Sequence, residues 1–150
     1  MSVTIRQTII TAFDTRMKTI KVAAGYGTDL GNKVYEWLQA PFQDDEAISL
    51  IYRDRNTPIE RTVGCDINTL AMEVVVVIPS AATMEEVRKA VADVIKCVGV
   101  DVTWSGLAQD TSPITEDTVE FEHQNRKIAG ILLTFNIMYT TAPFDPYTAV

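Results

Sequence analysis

The sequence has one histidine, His123, and two cysteines, Cys65 and Cys97, among 150 residues. A single histidine removes most nucleophile–base and metal chemistry at once. A Ser-His-Asp or Cys-His triad would have to centre on His123, and no nucleophile stands in a motif that would serve it. A metal site there would need His123 with Glu120 and Glu122 in one turn. That donor set is sparse, and a solvated turn is the simpler reading. The cysteines form no CxxC pair. They read as two free thiols of a protein made in a reducing compartment. A bridge between the loop carrying Cys65 and the helix carrying Cys97 stays open.

Cations are also few. Lys and Arg number 13 against 20 Asp and Glu, a formal net charge of −7, and they are scattered along the chain. Proteins that wrap nucleic acid cluster their cations on one face, so that class is excluded. An acidic surface remains compatible with a passage through which DNA slides without sticking. No apolar run approaches the ~20 residues that span a bilayer. The longest, Val74 to Ile78, is of strand length, and the opening Met1-Ser2-Val3-Thr4-Ile5-Arg6 lacks the apolar stretch of a signal peptide. There is no internal repeat and no low-complexity tract. What is present is 47% hydrophobic residues in a chain the size of one domain, enough to build one core.

Periodicity supplies the elements. Ile5, Ile9, Phe13, Met17 and Ile20 recur at helical spacing, predicting an amphipathic helix over residues 2–21 with Ser2 as N-cap. Gly25, Gly27 and Gly31 then stop the helix and supply turns. Strands are expected over residues 33–38 and 47–54, with a loop around Pro41 and Asp44-Asp45-Glu46 between them. The polar stretch 55–68, which holds Pro58 and Gly64, reads as a long functional or mobile inter-strand loop. Residues 70–78 form the clearest strand. Leu70, Met72, Val74, Val76 and Ile78 point one way; Ala71, Glu73, Val75 and Val77 point the other. That second face is also largely apolar, so either this domain or a neighbouring subunit covers it.

Thr83 and Glu86 make a capping box that starts a second helix over residues 84–98, ended by Gly99. Residues 100–104 read as a short strand and 105–112 as polar loop. A last hairpin takes residues 117–122 and 127–141, with Val119 and Phe121 facing in. Ile131, Leu133, Phe135, Ile137 and Tyr139 line its core face. The tail 142–150, with Pro143 and Pro146, reads as extended. The order predicts one α+β domain over residues 1–150: a mainly antiparallel sheet with two helices packed on one face.

The candidate sites are of the assembly kind. The glycine-rich stretch 25–31 is not a phosphate loop, because it follows a helix and opens a strand, the reverse of what phosphate binding needs. The run Asp44-Asp45-Glu46 could hold a cation but reads as a solvated loop. Asp54, Arg55, Glu60 and Arg61 mix both signs in one segment, a pattern that suits either ion pairing across a subunit contact or plain solubility. The expected interface residues are Arg55, Glu60, Arg61, Glu73, Val75 and Val77. No catalytic, cofactor or metal residue is expected.

The segment Gly25-Tyr26-Gly27-Thr28-Asp29-Leu30-Gly31-Asn32-Lys33-Val34-Tyr35-Glu36-Trp37 resembles one in the tail-terminator, or tail-completion, proteins of long-tailed bacteriophages. In that family an N-terminal helix runs into a Gly-Tyr-x-Thr-Asp-x-Gly turn and then a strand. The likeness in residues covers this stretch, and the likeness in element order covers most of the chain. The resemblance implies an α+β sandwich and a ring, commonly of six subunits, on the end of the tail tube. Such a ring stops tube growth and offers a surface to the head-side connector or stopper protein, while DNA passes through without sequence-specific binding. It implies a virion protein at the head-proximal end of the tail, made in the host cytoplasm, with no membrane, cofactor or catalytic residue. Other readings remain: a tail-tube or head–tail joining subunit, or a small-molecule-binding regulatory module, which would need a pocket with convergent polar groups.

Overall fold

The computed structural model describes residues 2–37, 48–79, 82–123 and 126–150, with the backbone alone at 58, 59, 121–123 and 126–128. The chain forms α1 (Ile5–Met17), β1 (Val34–Glu36), β2 (Ser49–Thr62), β3 (Cys65–Ile78), α2 (Met84–Val98), β4 (Asp110–Thr111), β5 (Thr115–His123), β6 (Arg126–Ala142) and β7 (Asp145–Ala149). This is the expected α+β class.

The sheet is mixed and mostly antiparallel. Its path runs β1-β2-β3-β6-β4, with β5 and β7 also on β6. Among the described residues only the β1–β2 pair is parallel, with Val34 level with Leu50. β6 is the spine. One of its edges pairs with β3 from Asp66↔Thr141 to Ile78↔Ala129. The other edge is shared in turn by β5, β4 and β7.

Both helices lie on one face. Ile9, Phe13, Met17 and Ile20 pack with Val87, Ala90, Val94 and Cys97 onto Leu50, Leu70, Met72, Val74, Val76, Leu133, Phe135 and Ile137. Phe13 sits at the centre, its ring 5.0 Å from Tyr52, 5.9 Å from Trp104 and 6.1 Å from Phe135. Such aromatic pairs add about 1 kcal/mol each beyond the area they bury.

α2 begins as its sequence dictates. The Thr83 hydroxyl accepts from the Glu86 amide, and the Glu86 carboxylate accepts from the Thr83 amide. α1 is shorter than its apolar stripe, because its cap is Thr4, whose hydroxyl accepts from the Gln7 amide. Ser2 lies outside the helix.

Several expected boundaries are corrected. Residues 55–68 are not a loop. β2 continues to Thr62 and β3 begins at Cys65, leaving a turn of two residues in which Gly64 takes φ +90°. Pro58 is accommodated beside a register shift between Pro58 and Glu60, where a missing amide donor costs least. Residues 100–104 form turns rather than a strand, and 110–111 form β4 within the expected polar loop. The tail is extended as expected, but it folds back and pairs with β6 as β7. Val119 stands opposite Gly130 and so shares the face of Val77 and Val75, away from the helices. The reading that Val119 faces the core therefore fails. The side chains of Phe121 and His123, and the run Asp44-Asp45-Glu46, lie outside the described residues.

Candidate functional site

The glycine-rich stretch is a structural lock. Gly31 donates its amide to Ile20 O at 2.8 Å, and a Cβ added there would lie 2.5 Å from Lys18 O, so only glycine fits. Asp29 accepts from the Val22 amide at 2.9 Å. Asp93 of α2, buried within the apolar stripe, accepts from the Gly27 amide at 3.0 Å, the Thr28 amide at 2.8 Å and the Thr28 hydroxyl at 2.6 Å. Three donors offset the cost of burying that carboxylate. Thr28 and its glycine neighbours are thereby spent on tying α2 to the turn.

A second lock closes the C-terminal end of α2. Arg16 donates to Val98 O at 3.2 Å and Asp101 O at 2.8 Å, and its guanidinium lies 3.8 Å from the Trp104 ring centroid. Trp104 is fully buried, adopts φ +52° and donates from Nε1 to the Thr111 hydroxyl at 2.9 Å. Hydrogen bonds from the Thr103 hydroxyl and the Ser105 and Thr103 amides hold the Asp101 carboxyl down at about 2.

Tyr52 donates to the Asp14 carboxylate at 2.9 Å beneath α1, and burial pushes its phenol well above the ordinary range. Next to it, Arg6 reaches Asp54 at 2.6 Å. Each pair is satisfied within itself.

The tip of the β2–β3 hairpin is braced. Arg61 donates to both Asp66 oxygens, at 2.6 and 3.0 Å. Asp66 also accepts from the Phe144 amide at 3.1 Å, and the Arg61 guanidinium stacks 3.7 Å from the Phe144 ring centroid. The hydrogen bond from Arg61 lowers the Asp66 carboxyl. Val63 at the turn and Phe144 beside it are exposed.

The sheet's second face carries the expected interface residues of β3. Across it run rows set by register: Tyr35, Ile51, Val75, Leu132 and Asp117 in one; Ser49, Val77, Gly130 and Val119 in the next. Val75 and Val77 are half-buried and Ile51 is buried outside the core cluster. A Cβ on Gly130 would meet Val75 Cγ1 at 2.8 Å and Val119 Cγ2 at 3.4 Å, so glycine lets two valines close over the strand. Glu73 binds Arg53, whose guanidinium also lies over Trp37. Neither helix reaches this face.

The structure separates the expected interface residues into two groups. Glu73, Val75 and Val77 sit mid-sheet. Glu60 and Arg61 sit near the hairpin tip, about 25 Å along the strand at roughly 3.3 Å per residue. Arg55 stands between them, exposed, with no partner among the described residues. Asp93 is the residue that pattern reading missed.

Among the described residues no group of three or more His, Cys, Asp and Glu converges as a metal site, and no helix is long and apolar enough to cross a membrane. Both cysteines are free, Cys97 buried and Cys65 half-buried. A scan against known protein families finds no match, and a search of curated proteins finds none.

Proposed function

We propose that this chain is a structural virion protein. Copies of it close as a ring, six being the family's common number, on the end of a bacteriophage tail tube, end tube growth and present the surface to which the head-side connector attaches. The observation that carries the reading is the distribution of layers. Both helices pack on one face, while the other keeps Val75, Val77, Leu132 and Val119 in a half-buried apolar band. A face of that kind is stabilised by a protein neighbour. The resemblance at residues 25–37 supports the same reading, since its glycines and threonine serve a turn that this fold needs. The net charge of −7 suits a lumen that passes DNA without holding it.

A tube subunit or head–tail joining subunit is the second reading, favoured by the 14-residue strands β2 and β3, which are long enough to line a lumen. Deleting the gene from its phage separates the two. A terminator mutant makes filled heads that stay unattached and tails that are overlong or unfinished. Loss of all tail tubes supports the tube subunit, and infectious particles with tails of normal length overturn the virion reading.

A further inference from the structure

We propose that β7 is an exchangeable strap: it leaves the β6 edge of its own chain and pairs with the same edge of the next copy, with Pro143 and Phe144 as the hinge. The inference rests on the ring reading above and supplies its subunit contact.

The turn that closes the strap is strained. β6 ends at Ala142 and β7 begins at Asp145, so Pro143 and Phe144 alone make the reversal. Phe144 takes φ +55°. A positive φ directly after a turn proline is a place for glycine or asparagine, and for a bulky side chain it is a costly outlier. The proline adds a second mismatch. Its ring fixes φ near −65°, whereas the two-residue turns whose twist suits a hairpin need a positive φ at that first position.

The ladder shows the effect. Ala142 stands opposite Asp145, and the residue before it, Thr141, stands opposite Ala149. Residues 146–148 therefore have no pairing partner on β6, and the side chains from Pro146 to Ala149 are exposed. The strap is held at its far end, where the Thr140 hydroxyl donates to Val150 O. It is held again at the turn, where Asp66 accepts from the Phe144 amide and Arg61 stacks on the Phe144 side chain. Phe144 is 85% exposed, so this contact adds little against the strain.

Exchange keeps what is favourable and releases what is not. A neighbour's Ala149 and Val150 meet Thr141 and Thr140 in the arrangement that the chain makes with itself, and its β7 lies against α1 in the same way. The acceptor edge and its register are thus those already formed within one copy. Only the reversal at residues 143–144 disappears. Phe144 can then take an extended φ, and Pro143 and Pro146 bias the segment and the residues before them to extended backbone. Drawn out, residues 143–148 span about 20 Å, enough to reach an adjacent copy.

A short turn under strain, beside an identical acceptor on the next copy, is the condition that favours exchange of an element between subunits. Copies held side by side on a tube end supply the effective concentration that a dilute chain lacks. Each copy gives its strap to the next and receives one, a head-to-tail contact that closes into a ring.

The test uses the full chain. Thr141→Cys with Ala149→Cys puts a thiol on each side of an existing pairing, Cys65→Ser removes a competing thiol, and Cys97 is buried. Oxidised as a dilute monomer, this variant should close an intrachain bridge, by mass, with unaltered circular dichroism. Oxidised after assembly and denatured without reductant, it should run as covalent multimers. Assembled protein that yields only bridged monomers overturns the exchange and leaves the ring reading standing. Two single changes check the hinge without added thiols. Phe144→Gly adopts the positive φ freely and should need at least about tenfold more protein for half-assembly, measured by sedimentation. Phe144→Ala keeps the strain but loses the aromatic side chain, and should assemble within about twofold of the unaltered chain. Equal behaviour of these two variants overturns the strained hinge. An unaltered chain that stays monomeric both alone and with tail tubes overturns the ring reading and the exchange together.

Discussion

Thr28 and Asp93 lie 65 residues apart in the chain and share two hydrogen bonds, one from the threonine amide at 2.8 Å and one from its hydroxyl at 2.6 Å. With the Gly27 amide as third donor, this contact ties the turn after α1 to the middle of α2.

Replacing Asp93 with alanine should therefore cost about 3 kcal/mol, since a hydrogen bond to a charged group is worth roughly 1.5–3 kcal/mol and two amides are left unsatisfied. In a domain of this length that corresponds to a fall of roughly 10 °C in Tm. Urea unfolding checks it, and a loss under about 1 kcal/mol would show that water replaces the carboxylate. Gly31→Ala should destabilise by a similar few kcal/mol through its clash with Lys18 O.

At the C-terminal end of α2, Arg16→Lys should behave as a damaging change. Lysine cannot donate to Val98 O and Asp101 O while lying flat on Trp104. The expected loss is about 2 kcal/mol by chemical unfolding. Trp104 fluorescence should shift in the folded variant, because the indole loses its cationic neighbour.

Asp101 gives a pH dependence. Its folded pKa of about 2 lies below the unfolded 3.8. A depressed carboxyl stabilises the fold above the unfolded value and loses that contribution as pH falls through the folded one. Stability should thus decline between about pH 4 and pH 2, and Asp101→Asn should flatten that part of the profile. An equally steep profile in the variant would assign the decline to other carboxylates, Asp66 and Asp145 among them, whose pKa values are also lowered.

The hairpin tip yields a local effect. Arg61→Ala removes the bidentate contact with Asp66 and the stacking on Phe144. Arg61 and Phe144 are exposed and Asp66 is half-buried, so global stability should change little, while amide exchange over residues 60–66 should accelerate severalfold. Unchanged exchange would mean that the β2–β3 ladder alone fixes the tip.

Sequence pattern revealed most where local chemistry is self-sufficient. The capping box at Thr83 and Glu86 and the stripe from Val87 to Val98 place α2 to the residue. Alternation in residues 70–78 separates two faces correctly. It cannot say which face of β5 is the core, because that depends on the register in which the strand pairs with β6, and Val119 stands opposite Gly130 rather than Ile131. The hairpin over residues 55–68 escaped notice because its outer part projects from the core, and exposed strands carry polar residues and tolerate Pro58 and Gly64. β4 and β7 are short and exist only as partners of β6. Asp93 did leave a signal. A carboxylate between Val91 and Val94 inside a buried stripe demands donors, and the amides of residues 25–31 are the obvious supply.

The dependence on β6 has a kinetic consequence. β3 waits for partners 51 residues away at Ile78↔Ala129 and 75 away at Asp66↔Thr141. The helices cannot cover a complete sheet before that spine arrives. High contact order of this kind slows folding toward milliseconds or longer. On the ribosome, β2 and β3 must then persist as an exposed, unclosed hairpin until residue 141 has emerged, and a chain cut before β6 would present that hairpin to its neighbours as an aggregation template.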